Sequence, residues 1–254
     1  YVLTVDANGE CGWEAAAGGG LSSDAQQNTV GGTNAGDSFT GTDATDNTLI
    51  GYDAGTALTT GDRNTVTGSG CGDSMTTTSY NTGMGYQALS SLTTGSQHVA
   101  IGDWASKNVV TGNYSTAVGS RALFNATAGF NEAFGKEALY ACTSGEINTA
   151  LGGSALSGLT TGYRNVALGY QSANDITTGF KNTCLGEYAG DTLTTGDRNI
   201  IIGSYATPSS ATVDNEITLG DTNITKFRIP GLNFVVKDST ATNGHVLTVD
   251  ANGE

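Results

Sequence analysis

Cationic residues are scarce in this 254-residue chain: 10 Lys and Arg stand against 24 Asp and Glu, for a net charge of −14. That balance disfavours nucleic acid or an anionic bilayer as a nonspecific partner and suits a salt-exposed surface. Long apolar runs are missing too, and none approaches the roughly 20 residues that a membrane-spanning helix needs. Only two prolines occur and aromatic residues make up 7% of the chain, against 38 glycines, a composition closer to a fibre than to an ordinary enzyme. Histidine is limited to His98 and His245, far apart in sequence, and Cys11, Cys71, Cys142 and Cys184 show no metal-ligand spacing. No catalytic, cofactor-binding or metal-binding constellation is legible, and the expectation is a non-enzymatic protein without a cofactor. Glycine-rich composition alone would fit disorder, but a strict period and the absence of a charge-rich tract argue for a fold.

That period is seventeen. The segment NTCLGEYAGDTLTTGDR, residues 182–198, restates a unit that begins at Asn47, Asn64, Asn81, His98, Ser115, Asn131, Asn148, Asn165, Asn182 and Asn199, with one sixteen-residue step from Ser115 to Asn131. Fixed self-similarity of this size marks a solenoid, in which each unit buries its apolar face only against its neighbours. The first place of the unit is Asn in eight of the ten copies, as expected for side-chain amides bonding up and down a parallel stack at about 4.8 Å. The fifth place is Gly in every copy, Gly51 through Gly203, a corner that needs positive φ or has no room for a Cβ. The eighth is small and the twelfth apolar, followed by a Thr-Gly corner. Middle segments such as YQALSSL, residues 86–92, read equally as a second strand or a single helical turn.

The third and fourth places are both apolar, which describes a strand covered on both sides. One cover is the inside of the coil. A coil this small holds one thin layer of side chains, each worth roughly 1.5–3 kcal/mol, against roughly 1–2 kcal/mol of backbone ordering per residue. A lone column is therefore marginal, and the Ala-rich third-place face is expected to pack against identical columns in a homo-oligomer.

Three regions follow. Residues 1–27 read as a β-hairpin, with Asp6-Ala7-Asn8-Gly9 as its turn, and a Gly-rich linker; the Asp and Asn spacing lacks the downstream ligands of a calcium loop. Residues 28–220 are the solenoid, opened by an imperfect nineteen-residue coil from Asn28 and closed by EITLG. Residues 221–254 form a β-rich connector with a turn at Pro230-Gly231. Tyr1–Glu10 and His245–Glu254 match at nine of ten positions, and the chain opens on Tyr1 rather than Met, so it reads as one module of a longer tandem array. Arg164, Lys181 and Arg198 fall at the seventeenth place of three successive coils. This basic ladder is either a solvated edge, answered by neighbours such as Asp197, or a candidate surface site for a glycan or an acidic receptor.

Copies such as NTALGGSALSGLTTGYR and NVALGYQSANDITTGFK resemble the repeats of phage and virus tail-fibre proteins and, more loosely, the β-roll heads of trimeric autotransporter adhesins. The segment NEITLGDTNITKFRIPG and the hairpins around ECGWE and GHVLTVDANGE are similar to the linking segments of such fibres. The resemblance implies a left-handed β-roll, a homotrimer, intertwined or side by side, and a virion or extracellular setting. It further implies a structural role in host attachment, extending a tip that meets a host-surface glycan or protein receptor. A bacterial surface adhesin is the alternative it leaves open.

Overall fold

A computed structural model describes residues 21–39 and 43–226, together with the strand backbones 2–5 and 11–14. The chain is all-β. Strands β1 (Val2–Val5) and β2 (Cys11–Glu14) pair antiparallel, Val5 opposite Cys11, as a hairpin whose turn lies outside the described residues. Strand β3 (Ser22–Ser23) turns back antiparallel onto β4 (Thr29–Gly31). From there one parallel sheet grows by a strand per coil: β5 (Thr48–Ile50), β6 (Thr65–Thr67), β7 (Thr82–Met84), β8 (Val99–Ile101), β9 (Thr116–Val118), β10 (Glu132–Phe134), β11 (Thr149–Leu151), β12 (Val166–Leu168), β13 (Thr183–Leu185), β14 (Ile200–Ile202) and β15 (Ile217–Leu219). Every pairing aligns like places, so Ala133 sits on Ala150 and Ala150 on Ala167. The entry coil from Asn28 shares this register, Thr29 on Thr48, despite its nineteen residues. By contact, Tyr1–Asn223 form one unit and residues from Ile224 a second, described only as far as Lys226. The connector turn at 230–231 and the C-terminal hairpin fall outside the described residues.

The middle segment is neither strand nor helix; it is a run of turns. Its backbone is left-handed at the seventh and ninth places in coil after coil, as at Trp104 (φ 56°) and Ser106 (φ 49°) or Glu137 (φ 59°) and Leu139 (φ 53°). A left-handed conformation costs an L-residue roughly 1–2 kcal/mol. It is held because it aims each N–H at the adjacent coil: Trp104 N donates to Tyr86 O at 2.9 Å, and Ser106 N to Ala122 O at 2.9 Å. Backbone hydrogen bonding thus continues from coil to coil where no strand exists. At the fifth-place corner Gly152 has φ +141°, and a Cβ there would lie 2.2 Å from the carbonyl oxygen of Gly169 in the next coil.

The asparagines form a saturated ladder. Asn165 Nδ2 donates to Asn148 Oδ1 (3.1 Å) and to Gly179 O (2.8 Å), while Asn165 Oδ1 accepts from Asn182 N (2.9 Å) and Asn182 Nδ2 (3.1 Å). All four hydrogen-bonding positions of the amide are used inside a fully buried site, a set that a side chain with fewer donors and acceptors does not reproduce. The ladder is interrupted at His98 and Ser115. His98 Nε2 bonds Gly112 O at 2.6 Å, and Ser115 Oγ accepts from Asn131 N at 3.3 Å.

The third place points inward, which corrects the expectation that its Ala-rich face lies outside. Ala100, Ala117, Ala133 and Ala150 are fully buried, and the second and fourth places face out instead. The third place is small because the ninth place reaches in beside it. Where the third is Gly83, Ala117, Ala133 or Ala150, the ninth is a buried Leu89, Leu123, Leu139 or Leu156; where the third is Leu49, Val66 or Cys184, the ninth is Gly55, Gly72 or Gly190. A Cβ on Gly55 would come within 2.9 Å of Leu49 Cδ2, and one on Gly190 within 2.7 Å of Cys184 Sγ. One volume is filled from either side, as close packing requires. The eighth and twelfth places complete the core with Ala54, Ala155 and Ala189 and with Leu58, Leu159 and Leu193.

Candidate functional site

Three surfaces carry side chains that the coil itself does not require. The first is the outer face of the sheet. Met84, Phe134, Leu151, Leu168, Ile202 and Leu219 at the fourth place are each between 39% and 50% exposed, flanked at the second place by exposed Val166, Ile200 and Ile217. Across the second and fourth places of β4 to β15 Glu132 is the sole charged residue, although the chain holds 24 acids. Parallel sheets are ordinarily covered on both faces; here the fourth place presents mostly apolar side chains in register, beside threonine at seven of the twelve second places, over a distance that eleven coil steps at about 4.8 Å make roughly 50 Å.

The second is the basic edge. Arg164, Lys181 and Arg198 stand exposed at successive coils, each on a left-handed backbone with φ of 57°, 58° and 56°. Their partners are aromatic. Arg198 lies 4.9 Å and Lys181 5.8 Å from the Phe180 ring, and Arg164 5.8 Å from the Tyr163 ring, while Tyr163 and Phe180 stack at 4.8 Å and 2°. Asp197 does not answer Arg198: its Oδ1 accepts from Phe180 N at 2.9 Å, and no ion pair among the described residues involves the three cations. Cation–π contact of this exposed kind contributes about 0.5–1 kcal/mol. Each of the three cations thus has an aromatic neighbour and no carboxylate partner among the described residues.

The third is a groove in the middle segments, and sequence reading missed it. An aromatic track runs obliquely across successive coils: Tyr86 to Trp104 (6.1 Å), Trp104 to Phe124 (6.3 Å) and Phe124 to Tyr140 (5.3 Å, nearly parallel). Arg121 lies 4.8 Å over Trp104 and 3.6 Å from a Glu137 carboxylate oxygen. At the tenth place the side chains are Lys107, Phe124 and Tyr140, then Ser157 and Asn174. The stack of rings stops at Tyr140, and the step down to Ser157 and Gly158 opens a groove of roughly 510 Å³ that Tyr140 lines together with Arg121, Glu137, Ser154, Asn174 and Asp175. Asn174 Oδ1 is buried beside it without a hydrogen-bond partner. The only signal of this groove in the sequence is departure from the repeat: Trp, Arg and Glu at the seventh place and Phe and Tyr at the tenth occur together in adjoining coils.

The chain matches no protein-family model, no curated protein and no solved structure.

Reactive groups within the coil are sealed. Cys71, Cys142 and Cys184 are buried free thiols at the eighth, twelfth and third places, and burial pushes them up to about 12, 11 and 12. Such thiols act as small apolar side chains. His98 is fully buried, and desolvation lowers its pKa while the backbone carbonyls of Gly112 and Ser115 partly offset that. No grouping of metal-ligating side chains occurs among the described residues, and no described helix is long and apolar enough to cross a membrane.

Proposed function

We propose that this chain is a structural shaft module of an extracellular fibre, most simply a phage or virion tail fibre, in which identical chains lie side by side with their sheet faces together. The observation that carries this reading is the uncovered sheet face: fourth-place aliphatics in register, with one charge along the whole surface. Six of them, Met84, Phe134, Leu151, Leu168, Ile202 and Leu219, are 39–50% exposed, so covering each of these contributes about 1 kcal/mol. Identical columns offer identical spacing, so every aliphatic on one copy meets its equivalent on another. The number three comes from the tail-fibre and adhesin repeats that the sequence resembles.

In this reading the mechanism is mechanical. A backbone bonded from coil to coil, saturated asparagines and a dry core hold a receptor-binding tip away from the particle. An adhesin or extracellular filament on a bacterial surface is the second reading, since the same stack serves both and the exposed sides would then bind. Immunogold labelling with an antibody against residues 43–226 separates them. Label along slender fibres on virions is expected, whereas label on bacterial envelopes supports the adhesin, and label inside cells overturns both.

A further inference from the structure

We infer that the groove beside Tyr140 is a binding site for one pyranose unit of a neutral glycan. Its walls have the chemistry that an uncharged sugar ring presents in reverse. A pyranose has a C–H face, and Tyr140 offers one: the ring is stacked on Phe124 on one side, and on the other the tenth place of the next coil holds only Ser157. A pyranose rim carries hydroxyls that donate and accept. The Asp175 carboxylate accepts, the Ser154 hydroxyl does both, and Glu137 and Arg121, paired with each other at 3.6 Å, keep further acceptor and donor positions on the carboxylate and the guanidinium. An aromatic wall with a few convergent polar groups is the general form of a small-ligand site.

Competing occupants fit worse. Single-stranded nucleic acid also stacks on aromatic rings, but here its phosphates would meet two carboxylates against the one Arg121 guanidinium, on a chain of net charge −14. A proline-rich peptide docks in aromatic grooves as well, yet proline has no N–H to offer those carboxylates. None of its lining residues stands at the second or fourth place, so covering the sheet face does not use them. The inference rests on the proposed assembly only in that respect.

The test is saturation-transfer NMR on the intact chain with five probes: the methyl glycosides of β-glucose, β-galactose, α-mannose, β-N-acetylglucosamine and β-N-acetylgalactosamine. Transfer to at least one is expected. Tyr140→Ala should weaken it about tenfold, the scale of a lost ring contact. Ser157→Phe should abolish it while leaving the circular-dichroism spectrum and melting temperature intact, because Phe124 already occupies that place in an earlier coil. Asp175→Asn, on the exposed rim, should weaken it without touching the coil. Absence of transfer from all five probes overturns the inference, as does transfer unchanged in these variants, or preferential binding of a proline-rich decapeptide or an oligothymidylate. Measuring oligomeric mass on the same samples separates this outcome from failure of the fibre reading.

Discussion

Replacing Asn165 with alanine removes four hydrogen bonds at one point of the ladder. Asn165 Nδ2 no longer reaches Asn148 Oδ1 or Gly179 O, and Asn165 Oδ1 no longer accepts from Asn182 N or Asn182 Nδ2. The survivors are unequal. Asn148 Oδ1 keeps the Asn165 amide at 3.0 Å, and Asn182 Nδ2 keeps Gly196 O at 2.8 Å, whereas the Asn182 N–H loses that partner within a fully dry layer. Gly179 O likewise loses its amide donor. A buried polar group left without a partner costs about 1–3 kcal/mol, so two of them predict a loss of about 2–6 kcal/mol. Asn165→Ser should fall between, since Ser115 shows a hydroxyl covering the next amide, Asn131 N, and nothing else. The assays are denaturant unfolding followed by circular dichroism and hydrogen exchange of the Asn182 amide. A loss below about 1 kcal/mol, the net value of one ordinary hydrogen bond, or unchanged Asn182 exchange, would refute the saturated-ladder account.

Ala150→Leu alone should destabilise by about 1–3 kcal/mol through overpacking, and Leu156→Gly alone by about 2–5 kcal/mol through a cavity. The double variant should return to within about 1 kcal/mol of the parent, a coupling that a double-mutant cycle reads directly. Ile147 is β-branched, half exposed and left-handed at φ 59°, so Ile147→Asn should raise the melting temperature by about 2–4 °C for about 1 kcal/mol of relieved strain. His98 stays neutral in the fold because burial lowers its pKa, so the unfolded chain binds the extra proton. Its contribution is therefore complete above its ordinary value of 6.5 and is lost as pH falls from there through the lowered value. His98→Asn should flatten the decline in stability between pH 6.5 and the acid limb, and an unchanged slope on pH-dependent melting would contradict this assignment.

Places with one demand in every coil were legible in the sequence. The first-place amides, the fifth-place glycines and the twelfth-place aliphatics each have a single physical reason to recur, and the structure gives each that role. The middle segment was not legible, because left-handed turns held by neighbouring coils have no apolar period of their own. A trace of them was present: Gly55, Gly72 and Gly190 stand where other copies carry Leu, which marks a backbone that glycine adopts freely. The direction of the third place misled for a related reason. Alanine there reads as an outer packing surface until the ninth-place leucine that fills the same volume is seen. The groove carried no periodic signal, since Trp104, Phe124 and Tyr140 break the repeat rather than follow it.

The central claim is that the sheet face is covered by other copies of the same chain. Sedimentation equilibrium of the chain at micromolar concentration measures this most directly, with Leu151→Glu/Leu168→Glu as the paired variant. The account predicts three times the 25.7 kDa of a single chain for the parent and a lower mass for the variant, whose carboxylates would be driven into the covered face. A stable parent monomer with its aliphatic face in water would contradict it.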